Sequence, residues 1–140
     1  MNGKALSLVG SVGLLVAACG GAGSSNEVRI TATEEPGRMS FTSDVTSFTV
    51  GETYHFVVEN TGALPHEFMI IQPLEPGTMG MEEMDEMAMY VVEEEELSAG
   101  ATFEFDYTFP AEAAGQPLEF ACYLPGHYEA GMHLPIIVES

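Results

Sequence analysis

Most of the chain alternates between apolar and polar positions with a period of two. In "YHFVVEN", Tyr54, Phe56 and Val58 fall on one face and His55, Val57 and Glu59 on the other. "HEFMII" places Phe68 and Ile70 inward by the same parity. "TFEFDYTF" is the clearest case, with Phe103, Phe105, Tyr107 and Phe109 in phase. "LEFACY" groups Leu118, Phe120 and Cys122, and "HLPIIVE" groups Leu134, Ile136 and Val138. The runs "VRITATE", "MSFTS" and "TSFTV" precede these, with a turn at Pro36-Gly37 and a stop at Gly51. A half-buried strand produces this alternation, because successive side chains point to opposite faces. Short alternating runs broken by Gly and Pro predict an all-β fold, an antiparallel Greek-key β-sandwich.

One segment departs from the pattern. Glu75 to Leu97 carries methionines at 79, 81, 84, 87 and 89 among acids. Met81, Met84 and Ala88 share a helical face with Met87 beside them, which predicts a short helical segment near residues 80–87. A strand is expected at Met89 to Glu93, and Glu93 to Glu96 reads as a solvated acidic edge. The methionines have three readings: packing of one helix face, a soft secondary Cu(I) site at Met79, Met81 and Met84, or an adaptable partner surface.

Charge narrows the functions. The 140 residues hold 22 acids against 3 basic residues, a formal net charge of -19. Such a surface excludes nucleic-acid binding, which needs Lys and Arg to neutralise phosphates. It suits a basic protein partner or a high-salt habitat. There is no glycine-rich phosphate loop and no HExxH motif.

The N-terminus adds an address. Residues 1–18 have Lys4 followed by a small, apolar run too short to span a bilayer as a final anchor, and read as a signal peptide. The junction "LVAACG" resembles the bacterial lipobox, which makes Cys19 the lipidation site. Residues 19–26 are then a lipidated N-terminus and tether, and residues 27–140 the folded domain. Membrane contact would be through the lipid alone, on the extracytoplasmic face, periplasmic or at the cell surface. The folded domain keeps one thiol, Cys122, which needs protection in an oxidising compartment.

That thiol opens the stretch "CYLPGHYEAGM". Cys122 continues the inward parity of Leu118 and Phe120, and Met132 is in phase with Leu134 and Ile136. Between them, Pro125-Gly126 can reverse the chain and return His127. Thiolate, imidazole and thioether together make a soft, asymmetric donor set. A second imidazole would complete the His2Cys set with a weak axial Met. His66, in phase with Phe68 and Ile70, is the candidate, whereas His55 and His133 alternate away. Each residue alone has an ordinary reading: Cys122 as a small buried hydrophobe, Met132 as a core plug, His66 as a strand cap, His127 as a loop residue.

"FACYLPGHYEAGMHLPIIVE" together with "NTGALPHEFMII" resembles the cupredoxins, the type 1 blue-copper proteins. The ligand spacing is similar to that of rusticyanin, sulfocyanin-like and azurin-like members. The resemblance implies one type 1 copper held by His66, Cys122 and His127, with Met132 as the long axial ligand. It implies a one-electron carrier rather than an enzyme, meeting a protein redox partner such as a cytochrome or oxidase through a positively charged docking face. An extracytoplasmic copper-handling protein, for storage, tolerance or delivery, is the first alternative. A metal-free binding module on the same sandwich is the second.

Overall fold

In the computed structural model, residues 26–140 are described. The predicted signal peptide and Cys19 lie outside the described residues. The strands are β1 (Glu27–Glu35), β2 (Arg38–Ser43), β3 (Ser47–Thr49), β4 (Thr53–Asn60), β5 (Phe68–Ile71), β6 (Tyr90–Val92), β7 (Thr102–Thr108), β8 (Leu118–Ala121) and β9 (His133–Glu139). One helix, α1 (Met81–Met87), lies between β5 and β6. The first sheet runs β2-β1-β4-β7 and the second β3-β9-β8-β5-β6.

The all-β sandwich and the short helix agree with the sequence reading. Uniform antiparallel pairing does not. β1 pairs with β4 in parallel, and so does β3 with β9. After the β1–β2 hairpin the chain crosses to the other sheet as β3. It returns as β4 beside β1, running the same way as β1. Alternation reports which face is buried but not which strand lies next door.

The inward positions fill one core. Val28, Ile30, Phe41, Phe56, Val58, Phe68, Ile70 and Phe120 are all buried between the sheets. Phe48 is the centre of its aromatic part, with ring centroids 4.8 Å from Phe109, 5.0 Å from Tyr54 and 5.9 Å from Phe120. Phe105 stacks between Phe56 and Tyr90 at 5.0 and 4.0 Å. Such ring pairs add to what area burial alone supplies.

Two residues depart from the expected phase. Val57 was expected on the outer face with His55 and Glu59, yet it is buried. Its register neighbours are Arg29 and Glu104, whose long apolar stems can cover it. Glu119 alternates outward between Leu118 and Phe120 but is also buried. The reason is a second apolar layer. The outer face of the second sheet carries Met69, Ile71, Ala121 and Tyr123, and α1 covers it with Met84. Met79, Met81 and Ala88 pack against the same layer, while Met87 points away and is 54% exposed. Among the described residues, no helix is long and apolar enough to cross a membrane.

Candidate metal centre

Two loops at one end of the sandwich build the site. The first joins β4 to β5 and is shaped by Asn60, which is buried. Its Nδ2 donates to the carbonyls of Leu64 at 2.8 Å and Leu97 at 2.9 Å, and its Oδ1 accepts the Gly62 N–H at 2.9 Å. The His66 N–H donates to Leu97 O at 3.2 Å. These bonds seat His66 at the entrance to β5.

The second loop joins β8 to β9. The His127 N–H donates to Leu124 O at 2.9 Å, closing the turn through Pro125-Gly126. Gly126 has φ 84°, a left-handed conformation in which a glycine carries no Cβ penalty. The Met132 N–H donates to His127 O and the Cys122 N–H to Met132 O, both at 3.1 Å. The loop is thus cross-tied at the three positions singled out from sequence.

His66, Cys122 and His127 come together, their donor atoms all within 4.8 Å of one another. His127 Nδ1 lies 3.2 Å from His66 Nδ1 and 3.4 Å from Cys122 Sγ. Met132 is buried in the core with Cys122. His55 and His133 are elsewhere, as expected. His55 lies between Asp106 and Glu104 on the first sheet, and His133 Nδ1 is 3.7 Å from Glu119.

Electrostatics favour a soft cation here. Burial pushes the Cys122 thiol up to about 12, so without metal it stays protonated. Burial holds His66 below the usual imidazole range, helped by the neighbouring His127, and burial holds His127 down as well. Both rings therefore keep a free lone pair at neutral pH. A thiol that a metal can deprotonate, beside two neutral imidazoles, suits copper. The Glu67 N–H donates to Cys122 Sγ at 3.4 Å. A donor on the sulfur draws electron density from it and would tune a bound metal.

Three buried or half-buried carboxylates near the site escaped the sequence reading. Glu67 is one, its carboxyl pushed up to about 7 by burial, with Oε1 accepting the Tyr123 N–H at 3.4 Å. Glu34 is another, its Oε1 lying 3.1 Å from His66 Nε2. Its signal was available: Val28, Ile30, Ala32 and Glu34 share one parity, so an acid ends an inward row. Glu119 is the third. It accepts the Tyr123 hydroxyl at 3.2 Å and underlies a column of rings. Tyr123 stacks on Tyr128 at 4.6 Å, and Tyr128 on His133 at 4.4 Å. Each of these rings directly follows Cys122, His127 or Met132 in sequence.

Met79, Met81 and Met84 line one cleft of about 370 Å³, with Tyr123, Pro125, Gly126 and Glu129 of the β8–β9 loop on its other side.

A two-sheet sandwich with a His–Cys–His cluster between its end loops defines a copper-binding class. The chain belongs to the copper binding proteins of the plastocyanin/azurin family, whose model matches residues 26–139. It is similar to the copper-resistant cuproprotein CopI of Rubrivivax gelatinosus, 34% identical over 90 residues, which cover 63% of this chain and 53% of that protein. It is also similar to CopI of Vibrio cholerae serotype O1, 34% identical over 102 residues, covering 68% and 55%. The chain spans about half the length of the curated relatives it matches. Its fold is similar to reduced auracyanin from Roseiflexus castenholzii (TM-score 0.56, 22% identity, 84% of this chain and 100% of that one). Rusticyanin from Thiobacillus ferrooxidans is likewise similar (TM-score 0.59, 23% identity, 83% and 79%). Copper is the cofactor this family and this donor set share.

Proposed function

We propose that the protein is a type 1 copper protein that carries single electrons between redox partners, and that His66, Cys122 and His127 would hold the copper strongly and Met132 weakly. The observation that carries this reading is the convergence of His66 Nδ1, Cys122 Sγ and His127 Nδ1 at the end of the sandwich. Copper bound there would supply the one-electron chemistry by alternating between Cu(I) and Cu(II). The protein's part is to present soft sulfur, which suits Cu(I), with imidazole nitrogen, which suits Cu(II), in one frame. The cross-ties among Cys122, His127 and Met132 hold that frame. Cys122 would have to give up its proton to hold a metal, so loading would be coupled to proton release.

Half-buried His127 lies at the rim, beside exposed Pro125 and Gly126. Exposed Ala63, Leu64 and Pro65 face it from the other loop. This apolar rim inside an acidic surface fits a partner with a positively charged face, such as a cytochrome or oxidase domain. Export with lipid attachment at Cys19 completes the reading, and a Cys19→Ala variant released from membranes would match it. The main test is reconstitution of the mature domain with Cu(II). An intense visible charge-transfer band is expected, and its absence would sink the type 1 assignment.

A second reading is copper handling. It is favoured by the methionine cleft beside the metal loop and by the relatives' description as copper-resistant. Thioethers select Cu(I). Titration under reducing conditions separates the two. A second Cu(I) that is lost when Met79 and Met81 become Leu supports handling, whereas one copper per domain, unaffected by those changes, counts against it.

A further inference from the structure

We propose that Glu34 is a positioning residue for the copper centre, whose carboxylate fixes His66 and biases the bound metal toward the oxidised state. The inference rests on the reading of His66 as a copper ligand. Glu34 is the penultimate residue of β1, in the first sheet, and reaches the β4–β5 loop. Its Oε1 accepts the Leu64 N–H at 2.8 Å and lies 3.1 Å from His66 Nε2. His66 is fully buried, while the Glu34 side chain is 20% exposed.

This contact decides which nitrogen faces the metal. A carboxylate on Nε2 requires that nitrogen to carry the proton. The Nδ1 lone pair is then left for the cluster, where it lies 3.2 Å from His127 Nδ1. The Leu64 N–H fixes the Glu34 carboxyl against the ring, and a glutamate is ordinarily an anion at neutral pH. An anion behind the ring makes the imidazole a stronger donor and adds negative charge near the metal. Both effects favour Cu(II) over Cu(I), and so both lower the reduction potential.

The seat for this carboxylate is built by Gly62. A Cβ at that position would collide with Glu34 Oε1. A side chain at residue 62 therefore forces the carboxylate to shift away without changing its charge. One acid and one glycine, 28 positions apart in sequence, form a single device.

The test uses the copper-loaded wild type, Glu34→Gln and Gly62→Ala. Gln keeps an acceptor for the Leu64 N–H but removes the charge. Outer contacts of this kind change metal affinity by about 10–100-fold. At the lower end, E34Q loses about tenfold in its preference for Cu(II) over Cu(I). That raises the potential by ~59 mV for one electron. G62A moves the potential the same way. In the metal-free wild type, nitrogen-15 NMR finds the proton of His66 on Nε2, and G62A, which displaces the carboxylate, lets it move to Nδ1. A wild-type domain that turns blue but whose potential is the same in E34Q and G62A overturns the proposal. Should E34Q fail to fold, G62A decides alone. A wild type that never shows the charge-transfer band would instead fault the copper reading itself.

Discussion

The backbone amide of Glu67 points at the sulfur of Cys122 from 3.4 Å, although 55 residues separate them in sequence. The two residues sit where the β4–β5 loop meets the end of β8. The same two segments are tied again one residue on, where the Tyr123 N–H donates to the Glu67 carboxylate. The sulfur thus belongs to a double clasp between loops before any metal arrives.

That clasp separates two substitutions. Cys122→Ser keeps a hydroxyl to accept the Glu67 N–H but gives up the thiolate. It should fold without metal, and after Cu(II) addition it should lack the charge-transfer band. Cys122→Ala leaves a buried donor without a partner, which costs about 1–3 kcal/mol. Urea unfolding of the two metal-free variants should rank Ala below Ser by that amount.

A pH effect is expected on the first sheet, far from the metal. Hydrogen bonding to Asp106, 2.8 Å away, raises the pKa of His55, and Glu104 adds to it. The folded value lies above the unfolded one, so the folded state gains from holding the proton. The gain is complete below the unfolded value of about 6.5 and is lost as pH rises through the folded value. The melting temperature of wild type should exceed that of Asp106→Asn by more at pH 6 than at pH 9. An unchanged gap would mean that this exposed pair contributes nothing.

The helix methionines should differ sharply. Met84 is 4% exposed and plugs the outer layer of the second sheet, so Met84→Ala should cost about 2–4 kcal/mol. Met87→Ala should stay within about 0.5 kcal/mol, because that side chain points to solvent. Chemical denaturation of both variants checks the contrast. Equal losses would show that α1 is seated differently.

The Tyr123 hydroxyl accepts the Leu74 N–H at 2.8 Å and donates to Glu119 at 3.2 Å. Tyr123→Phe removes both bonds and leaves a buried carboxylate short of a donor. A loss of about 2 kcal/mol is expected, read by thermal unfolding of the metal-free domain. Near-ultraviolet circular dichroism should change as well, because the ring column loses its anchor.

Strand parity carried the sequence reading far. The inward rows of β4, β5, β7 and β9, the helix over Met81–Met87, and the meeting of His66, Cys122 and His127 were all legible in it. Strand neighbours were not, since a period of two is the same in parallel and antiparallel ladders. Glu119 looked solvated because alternation assumes one wet face. Tyr123, Tyr128 and His133 close over it, and only tertiary structure reveals that. Glu34 has an inward parity that an acid rarely has, but parity alone does not bring the end of its row to His66. The placement of the thioether set around one cleft also needed the fold, because Met79 lies before α1 and reaches the loop only across space.

The second sheet ends in β3 on one side and β6 on the other, each three residues long. An unpaired strand edge is a template on which another chain can extend the ladder. Here each edge offers too few open amides and carbonyls for a stable addition. Beyond β6 the chain passes at once into Glu93–Glu96, which repels a second copy of the same surface. Both margins of the second sheet, the one that carries Cys122, are thereby guarded against strand addition by another copy.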